Sequence, residues 1–298
     1  MATPAQAPWL PAAAIGVTLL LWASAFVAIR HLGHEVSPGA LSLGRLLIAA
    51  VALSALLLRA PRHRLTRNET LLLLACGIAW FGIYNLALNA SEQKIDAATA
   101  AMVVQVGPIL IALLAALFLG EKLTSWFAVG MVVAFGGVVV IGSAMRGDGG
   151  SDLDGVLLAL LAAATYAIGV VCQKVLLHRL SGLEVTCYAC WIGAVVCLPW
   201  VGDLGDVVGD GDAKTLLLIA YLGLFPTAIA FSTWAFALRH TDAGKQAITT
   251  FLVPGITALL AWALLGEVPP GLVFVGGALC IVGVLLTRRK PRRSADPA

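Results

Sequence analysis

The chain has 298 residues, 60% of them hydrophobic and only 12% charged, against roughly 25% charged in a soluble domain. A surface this poor in charge is untenable in water, which excludes an ordinary soluble domain and makes lipid the solvent. The net charge of +3 gives no reason to expect a nucleic-acid partner.

Ten apolar segments follow one another, at residues 10–29, 39–58, 70–90, 97–119, 125–144, 155–173, 184–201, 215–238, 246–265 and 268–287. Most are about 20 residues long, the length that spans a bilayer as a helix. The segment at 10–29 follows a stretch without Lys or Arg and is too long for the apolar core of a signal peptide, so it reads as a retained first helix. Short connections make neighbouring helices antiparallel. Fourteen of the nineteen Lys and Arg residues fall on the side shared by both termini, four on the other side, and Arg45 inside a span. The positive-inside rule then puts both termini in the cytoplasm. Glu184 sits at a span boundary and no acid lies well inside a span, so proton coupling through a central carboxylate is not evident.

The two halves repeat each other. Gln105-Val-Gly-Pro108 is followed twelve residues after its proline by Gly120-Glu121, and Phe251-Leu-Val-Pro254 at the same distance by Gly266-Glu267. The same 146-residue offset pairs Asp96 with Asp242, Gly130 with Gly276 and Gly137 with Gly283. Five spans per copy is an odd number, so tandem copies enter the membrane in opposite directions. The fold expected is therefore an all-α integral membrane protein of ten transmembrane helices in two inverted-topology repeats, 10–144 and 155–287, with a basic cytoplasmic tail at 288–298.

Several residues inside the spans are candidates for a transport cavity. Pro108 and Pro254 each remove a backbone hydrogen bond at equivalent mid-span positions, reading either as a paired hinge or as packing kinks. Arg45 lies about 9 Å inside the outer end of its span at 1.5 Å per residue. It either snorkels outward or binds an anionic group such as a substrate carboxylate. Trp80 with Tyr84, and Asn85 with Asn89, form i, i+4 pairs; Asn85 is the better cavity residue, Asn89 being nearer the interface. Gln105, three residues before Pro108, is the best single candidate for a substrate hydrogen bond. Thr249 and Thr250 occupy the equivalent region of the other half but can satisfy their own helix backbone. Trp22, Ser24, Tyr166 and Trp234 lie too deep for interfacial anchors, and suit an amphipathic ligand or plain packing.

Glu121 and Glu267, at span ends, read as structural. Cys187-Tyr-Ala-Cys190 lies in an apolar helix without a histidine nearby in sequence and reads as packing. All six cysteines fall in apolar stretches, where a disulfide framework is not expected. No Walker, HExxH or GxSxG motif is present, so no cofactor, metal or catalytic residue is expected and the chain is not read as an enzyme.

Two five-span halves, each with Pro-x11-Gly-Glu and a glycine-bearing last helix, together with Leu21-Trp-Ala-Ser-Ala-Phe26 and Arg45, resemble the EamA branch of the drug/metabolite transporter superfamily over roughly residues 10–287. The resemblance implies a ten-helix fold and carriage of amino acids or other small metabolites, often outward; the inverted repeat implies alternating access, across the cell membrane. The resemblance also implies a cavity lined by spans one, three, four, six, eight and nine. A passive channel, or a membrane-embedded enzyme, are the alternative functions.

Overall fold

The computed structural model describes residues 9–32, 35–61, 63–95, 97–145, 152–210, 212–266 and 268–289. Asp96, Glu267 and residues 290–298 of the basic tail lie outside these. The described residues form helices, turns and short loops without a strand. In chain order the α-helices are α1 (Leu10–Leu32), α2 (Pro38–Leu57), α3 (Arg67–Cys76), α4 (Tyr84–Glu92), α5 (Ala97–Val104), α6 (Gly107–Leu119), α7 (Ser125–Met145) and α8 (Leu153–Leu176). They continue as α9 (Gly182–Val196), α10 (Val201–Asp210), α11 (Ala213–Leu222), α12 (Ala230–His240), α13 (Ala243–Ala247), α14 (Val253–Leu265) and α15 (Gly271–Thr287). A π-helical segment, Gly77–Ile83, joins α3 to α4, and another, Gly223–Ile229, joins α11 to α12. A 3₁₀ segment, Ile248–Leu252, joins α13 to α14.

Among the described residues eight helices are long and apolar enough to cross a membrane. The other two segments expected from the sequence differ from simple spans, and proline explains both. The seventh ends at Val196 and bends by 61° into Leu198–Asp210, because Pro199 supplies no N–H to continue the helix. The tenth starts at Gly271, not at 268, because Pro269 and Pro270 precede it, and it is 17 residues long.

Elements recur at the offset seen in the sequence. Arg67–Cys76 and Ala213–Leu222, the two π segments, and Gly107–Leu119 and Val253–Leu265 each begin 146 residues apart. Their caps match too. Thr66 and Asp212 each accept an N–H from the third helical residue, Glu69 at 3.3 Å and Thr215 at 2.7 Å. That donated bond holds the exposed Asp212 carboxyl below its ordinary pKa. Gly120 and Gly266 end their helices with φ of 67° and 72°, a left-handed cap that favours glycine.

Helices α7 and α15 lie antiparallel, with Gly130 against Gly283 and Gly137 against Gly276. Between these contacts Cys280 Sγ donates to the Ala134 carbonyl at 3.4 Å, so residues 146 apart meet at the centre of the crossing. Glycine is required here because the partner backbone occupies the space a Cβ would need. Proline and the helix breaks also differ from expectation. Pro108 and Pro254 stand not within continuous helices but in the first turn of α6 and α14, where the missing N–H leaves no gap. The interruption lies just upstream, at Gln105–Val106 and at Ile248–Leu252.

Candidate functional site

The interrupted helices meet at Gln105 and Thr250. Gln105 Nε2 donates to the Thr250 carbonyl at 3.3 Å; the Thr250 hydroxyl donates to the Ala247 carbonyl at 2.8 Å and lies 3.4 Å from Gln105 Oε1. Beside this contact a cavity encloses about 80 Å³ of free space. At about 10–15 Å³ of such space per water, it holds several waters or a small solute.

Eight of the ten binding candidates line this cavity: Trp22, Arg45, Trp80, Tyr84, Asn85, Gln105, Tyr166 and Thr250. They arrive from α1, α2, the first π segment, α4, the two breaks and α8. Ser24 and Trp234 do not line it. The Ser24 hydroxyl is occupied by Tyr221 Oη at 2.6 Å and the Leu21 carbonyl at 2.8 Å. Trp234 is fully buried behind Trp22, with ring centroids 5.0 Å apart. Pro108 and Pro254 are not in the lining either, although Val253, next to Pro254, is. Thr249 turns to the Gln246 carbonyl at 2.6 Å.

The walls are aromatic. Phe231 lies 5.0 Å from Trp80 and 5.3 Å from Trp22, and Tyr166 lies 5.2 Å from Trp80 and 5.9 Å from Tyr84. Offset and edge-on packing of this kind makes a stiff apolar box. Sequence reasoning missed Phe231, Leu88, Phe26 and Val104, because an apolar residue in an apolar helix carries no signal of which way it faces.

The polar groups are held by the π segments. A π turn leaves a carbonyl without its usual donor. Asn85 Nδ2 donates to the Phe81 carbonyl at 2.8 Å. In the other half Thr227 Oγ1 donates to the Leu222 carbonyl at 2.7 Å. Thr227 also accepts Arg45 Nε at 3.0 Å, so the arginine of one half is docked on the π segment of the other. The terminal guanidinium nitrogens of Arg45 make no hydrogen bond to a described residue, and Arg45 lines the cavity.

The cavity lies toward the end of α1 that carries Ile29, and its floor is closed. Glu121 accepts Ala243 N–H at 2.5 Å and Gly244 N–H at 3.0 Å. Lys174 Nζ donates to the Leu238 and Thr241 carbonyls at 2.7 and 2.6 Å. Gln246 Nε2 donates to the Trp234 carbonyl at 2.9 Å. These bonds satisfy the exposed ends of α12 and α13. The expectation that no acid is buried in a span is corrected at one position. Glu184 is fully buried in the first turn of α9, held by His63 N–H and Ser181 N–H at 2.8 Å each. Glu92 is the last residue of α4, which runs two residues past the expected end at 90; it is half-buried, with its Oε1 shielded from solvent. Among the described residues no group of His, Cys, Asp and Glu could hold a metal ion.

The family model described as the EamA-like transporter family matches this chain twice, over residues 10–143 and 153–289. A probable terminal-alkyne amino-acid exporter of Streptantibioticus cattleyicolor is 36% identical over 93% of each chain. A probable amino-acid metabolite efflux pump of Salmonella typhimurium is 25% identical, over 91% of this chain and 92% of its own. A solved crystal structure superposes with a TM-score of 0.75 over 93% of this chain and 96% of its own, at 20% identity, a likeness of fold alone. Two matches to one family model, a 36% identical relative over nearly the full length and a set of long apolar helices agree: the chain is a multi-pass membrane protein and belongs to the EamA-like transporter family.

Proposed function

We propose that this chain is a secondary transporter that exports amino acids or similar small amphipathic metabolites by alternating access. The observation that carries the reading is the cavity at the meeting point of the two interrupted helices, lined by residues from both halves. Its aromatic walls suit an apolar side chain. The amides of Asn85 and Gln105 and the guanidinium of Arg45 suit a polar head with a carboxylate.

In this reading the ten apolar segments all cross the membrane, 10–144 and 155–287 are inverted five-helix repeats, and both termini are cytoplasmic. The cavity then faces outward, and the Glu121, Lys174 and Gln246 contacts form the closed cytoplasmic side. Exchanging the conformations of the two halves opens the opposite side. The breaks before Pro108 and Pro254 are the points where each half bends. The names of the two relatives support an amino-acid cargo and outward movement.

The test is counterflow in proteoliposomes with a panel of amino acids and related metabolites. Saturable uptake accelerated by substrate on the trans side is the expected result. Unsaturable flux without trans-acceleration identifies a channel. Single cysteines replacing Lys94 and Lys245 should label from opposite faces of the membrane; labelling from one face removes the inverted-repeat topology.

A further inference from the structure

Three glutamines are buried among the described residues: Gln105, Gln173 and Gln246. Gln105 donates to the Thr250 carbonyl. Gln246 donates to the Trp234 carbonyl at 2.9 Å and accepts the Thr241 hydroxyl at 2.5 Å. Gln173 is entirely enclosed, yet neither its Nε2 nor its Oε1 has a hydrogen-bond partner among the described residues. Two unmet atoms on one buried amide are unfavourable, and native folds rarely carry them without a use. The indole N–H of Trp234 is likewise buried and unmet.

Both residues stand between the cavity and its closed floor. Gln173 follows Tyr166 by seven residues of α8, which is two turns. It therefore lies on the face that carries Tyr166 into the cavity wall, about 10 Å nearer the floor at 1.5 Å per residue. Val170, between them on that face, is fully buried. The next residue, Lys174, belongs to the floor itself and ties α8 to the end of α12 through the Leu238 and Thr241 carbonyls, at 2.7 and 2.6 Å. Trp234 precedes Leu238 by one turn of α12. Its ring packs 5.0 Å from Trp22 and 6.2 Å from Trp80, both in the cavity wall, while its carbonyl is held by Gln246 in the floor.

We propose that Gln173 is the polar contact of a second binding position, open to the cytoplasmic side when the floor is open, with the Trp234 N–H as a further donor. Parting α8 from α12 at the Lys174 bonds uncovers the amide next to them. The amide offers a donor and an acceptor and the indole a donor, a set that suits a solute head bearing acceptor oxygens. For an exporter this is the loading position: the solute meets Gln173 first and then passes to the Gln105 and Arg45 end of the cavity as the floor shuts. The amide is unmet only in the floor-shut state, which favours reopening of the floor once the solute has left. The proposal rests on the carrier reading above and adds a binding position to it.

The experiment uses the full chain in proteoliposomes sorted by orientation, so that each face is presented separately. The probe is L-leucine, or the panel solute with the fastest counterflow should L-leucine not be carried. Gln173→Met keeps the side-chain length and removes both polar atoms. Its apparent affinity on the side of the termini is expected to fall about tenfold, the loss of one good hydrogen bond, with the affinity on the opposite side within about twofold of wild type. Its unfolding midpoint in detergent should equal or exceed that of wild type, because no bond is lost in the floor-shut fold. Gln173→Asn, which keeps an amide on a shorter stem, should recover part of the lost affinity. Unchanged affinity on the side of the termini, or an equal loss on both sides, overturns the proposal. A lower midpoint for Gln173→Met does so as well, since it shows the amide to be bonded when the floor is shut. Absence of wild-type counterflow for every solute of the panel instead overturns the carrier reading itself, and the loading position with it.

Discussion

The closest test of how the two halves are joined is the glycine crossing of α7 and α15. Replacing Gly137 by alanine puts a methyl group 2.5 Å from the Gly276 carbonyl oxygen and 2.8 Å from the Cys280 backbone nitrogen. Real Cβ contacts seldom fall below 3.4 Å, so the helices must part by the difference, about 0.9 Å. Two of the three obstructing atoms, including the nearest, are backbone, so moving the Cys280 side chain cannot relieve the clash. Overpacking of this kind costs about 1–3 kcal/mol, and it also weakens the close backbone contacts that hold such crossings. Gly136→Ala, one residue away, meets nothing within 4 Å and should gain from the higher helix propensity of alanine, roughly 0.5–1 kcal/mol. The neighbouring substitutions are therefore expected to shift stability in opposite directions. The assay is thermal unfolding of purified protein in detergent, followed by intrinsic tryptophan fluorescence. Gly276→Ala, which meets the Gly137 carbonyl oxygen at 2.6 Å, should reproduce the Gly137→Ala loss from the other side. A Gly137→Ala protein as stable as Gly136→Ala would refute the close-crossing argument.

Three further outcomes follow from the site. Gln105→Ala removes the amide that joins the two breaks and should weaken transport while leaving membrane insertion intact; unchanged counterflow kinetics would take Gln105 out of the binding site. Asn85→Leu leaves the Phe81 carbonyl without its side-chain donor in a buried π turn, a loss of about 1–3 kcal/mol that should appear as a lower unfolding midpoint, and an unchanged midpoint would refute the bracing role. Glu121→Ala removes two hydrogen bonds to a charged acceptor, each typically worth about 1.5–3 kcal/mol. In a background lacking the six native cysteines, Ala247→Cys, buried beneath this closure, should then react faster with a thiol reagent added from the side of the termini; an unchanged rate would show that Glu121 does not hold that end shut.

Much of this architecture is legible in the sequence, and the exceptions have physical reasons. Apolar runs mark the helices because lipid tolerates little else. The proline and Gly-Glu spacing marks the repeated segments, yet it cannot tell a kinked helix from a restarted one: proline suits the first turn of a helix as well as it disrupts an interior. The π segments are invisible because they are a change of backbone pairing. Gly77-Ile-Ala-Trp80 and Gly223-Leu-Phe-Pro226 share only their glycine, though both start the same deviation. The side chains that answer it, Asn85 and Thr227, are signals only once the deviation is known. The end of α4 is placed two residues short, at 90, because span boundaries drawn from hydropathy stop before the first charge, whereas the helix runs on through Glu92. Six of the eight lining candidates are aromatic or amide residues, types conspicuous in an apolar helix, whereas Ser24 is conspicuous and satisfied elsewhere by Tyr221.

The repeat is faithful in backbone and unfaithful in the cavity, and the division falls along function. The caps, the π segments, the breaks and the glycine crossing recur at 146 residues, which keeps the two halves alike in the shapes they can adopt. At the lining the same offset pairs Asn85 with Phe231 and Gln105 with Phe251, while the region equivalent to Arg45 is the uncharged neighbourhood of Ala189. One half therefore supplies most of the polar groups and the other supplies Phe231. In the proposed reading, a ligand lodged between them would have its polar end fixed by the first half and its apolar end by aromatic walls drawn from both. Substitutions along the repeated backbone should act on the movement of every substrate alike. Substitutions at Asn85, Gln105 or Arg45 should alter which substrate is moved, because no equivalent group in the second half can replace them.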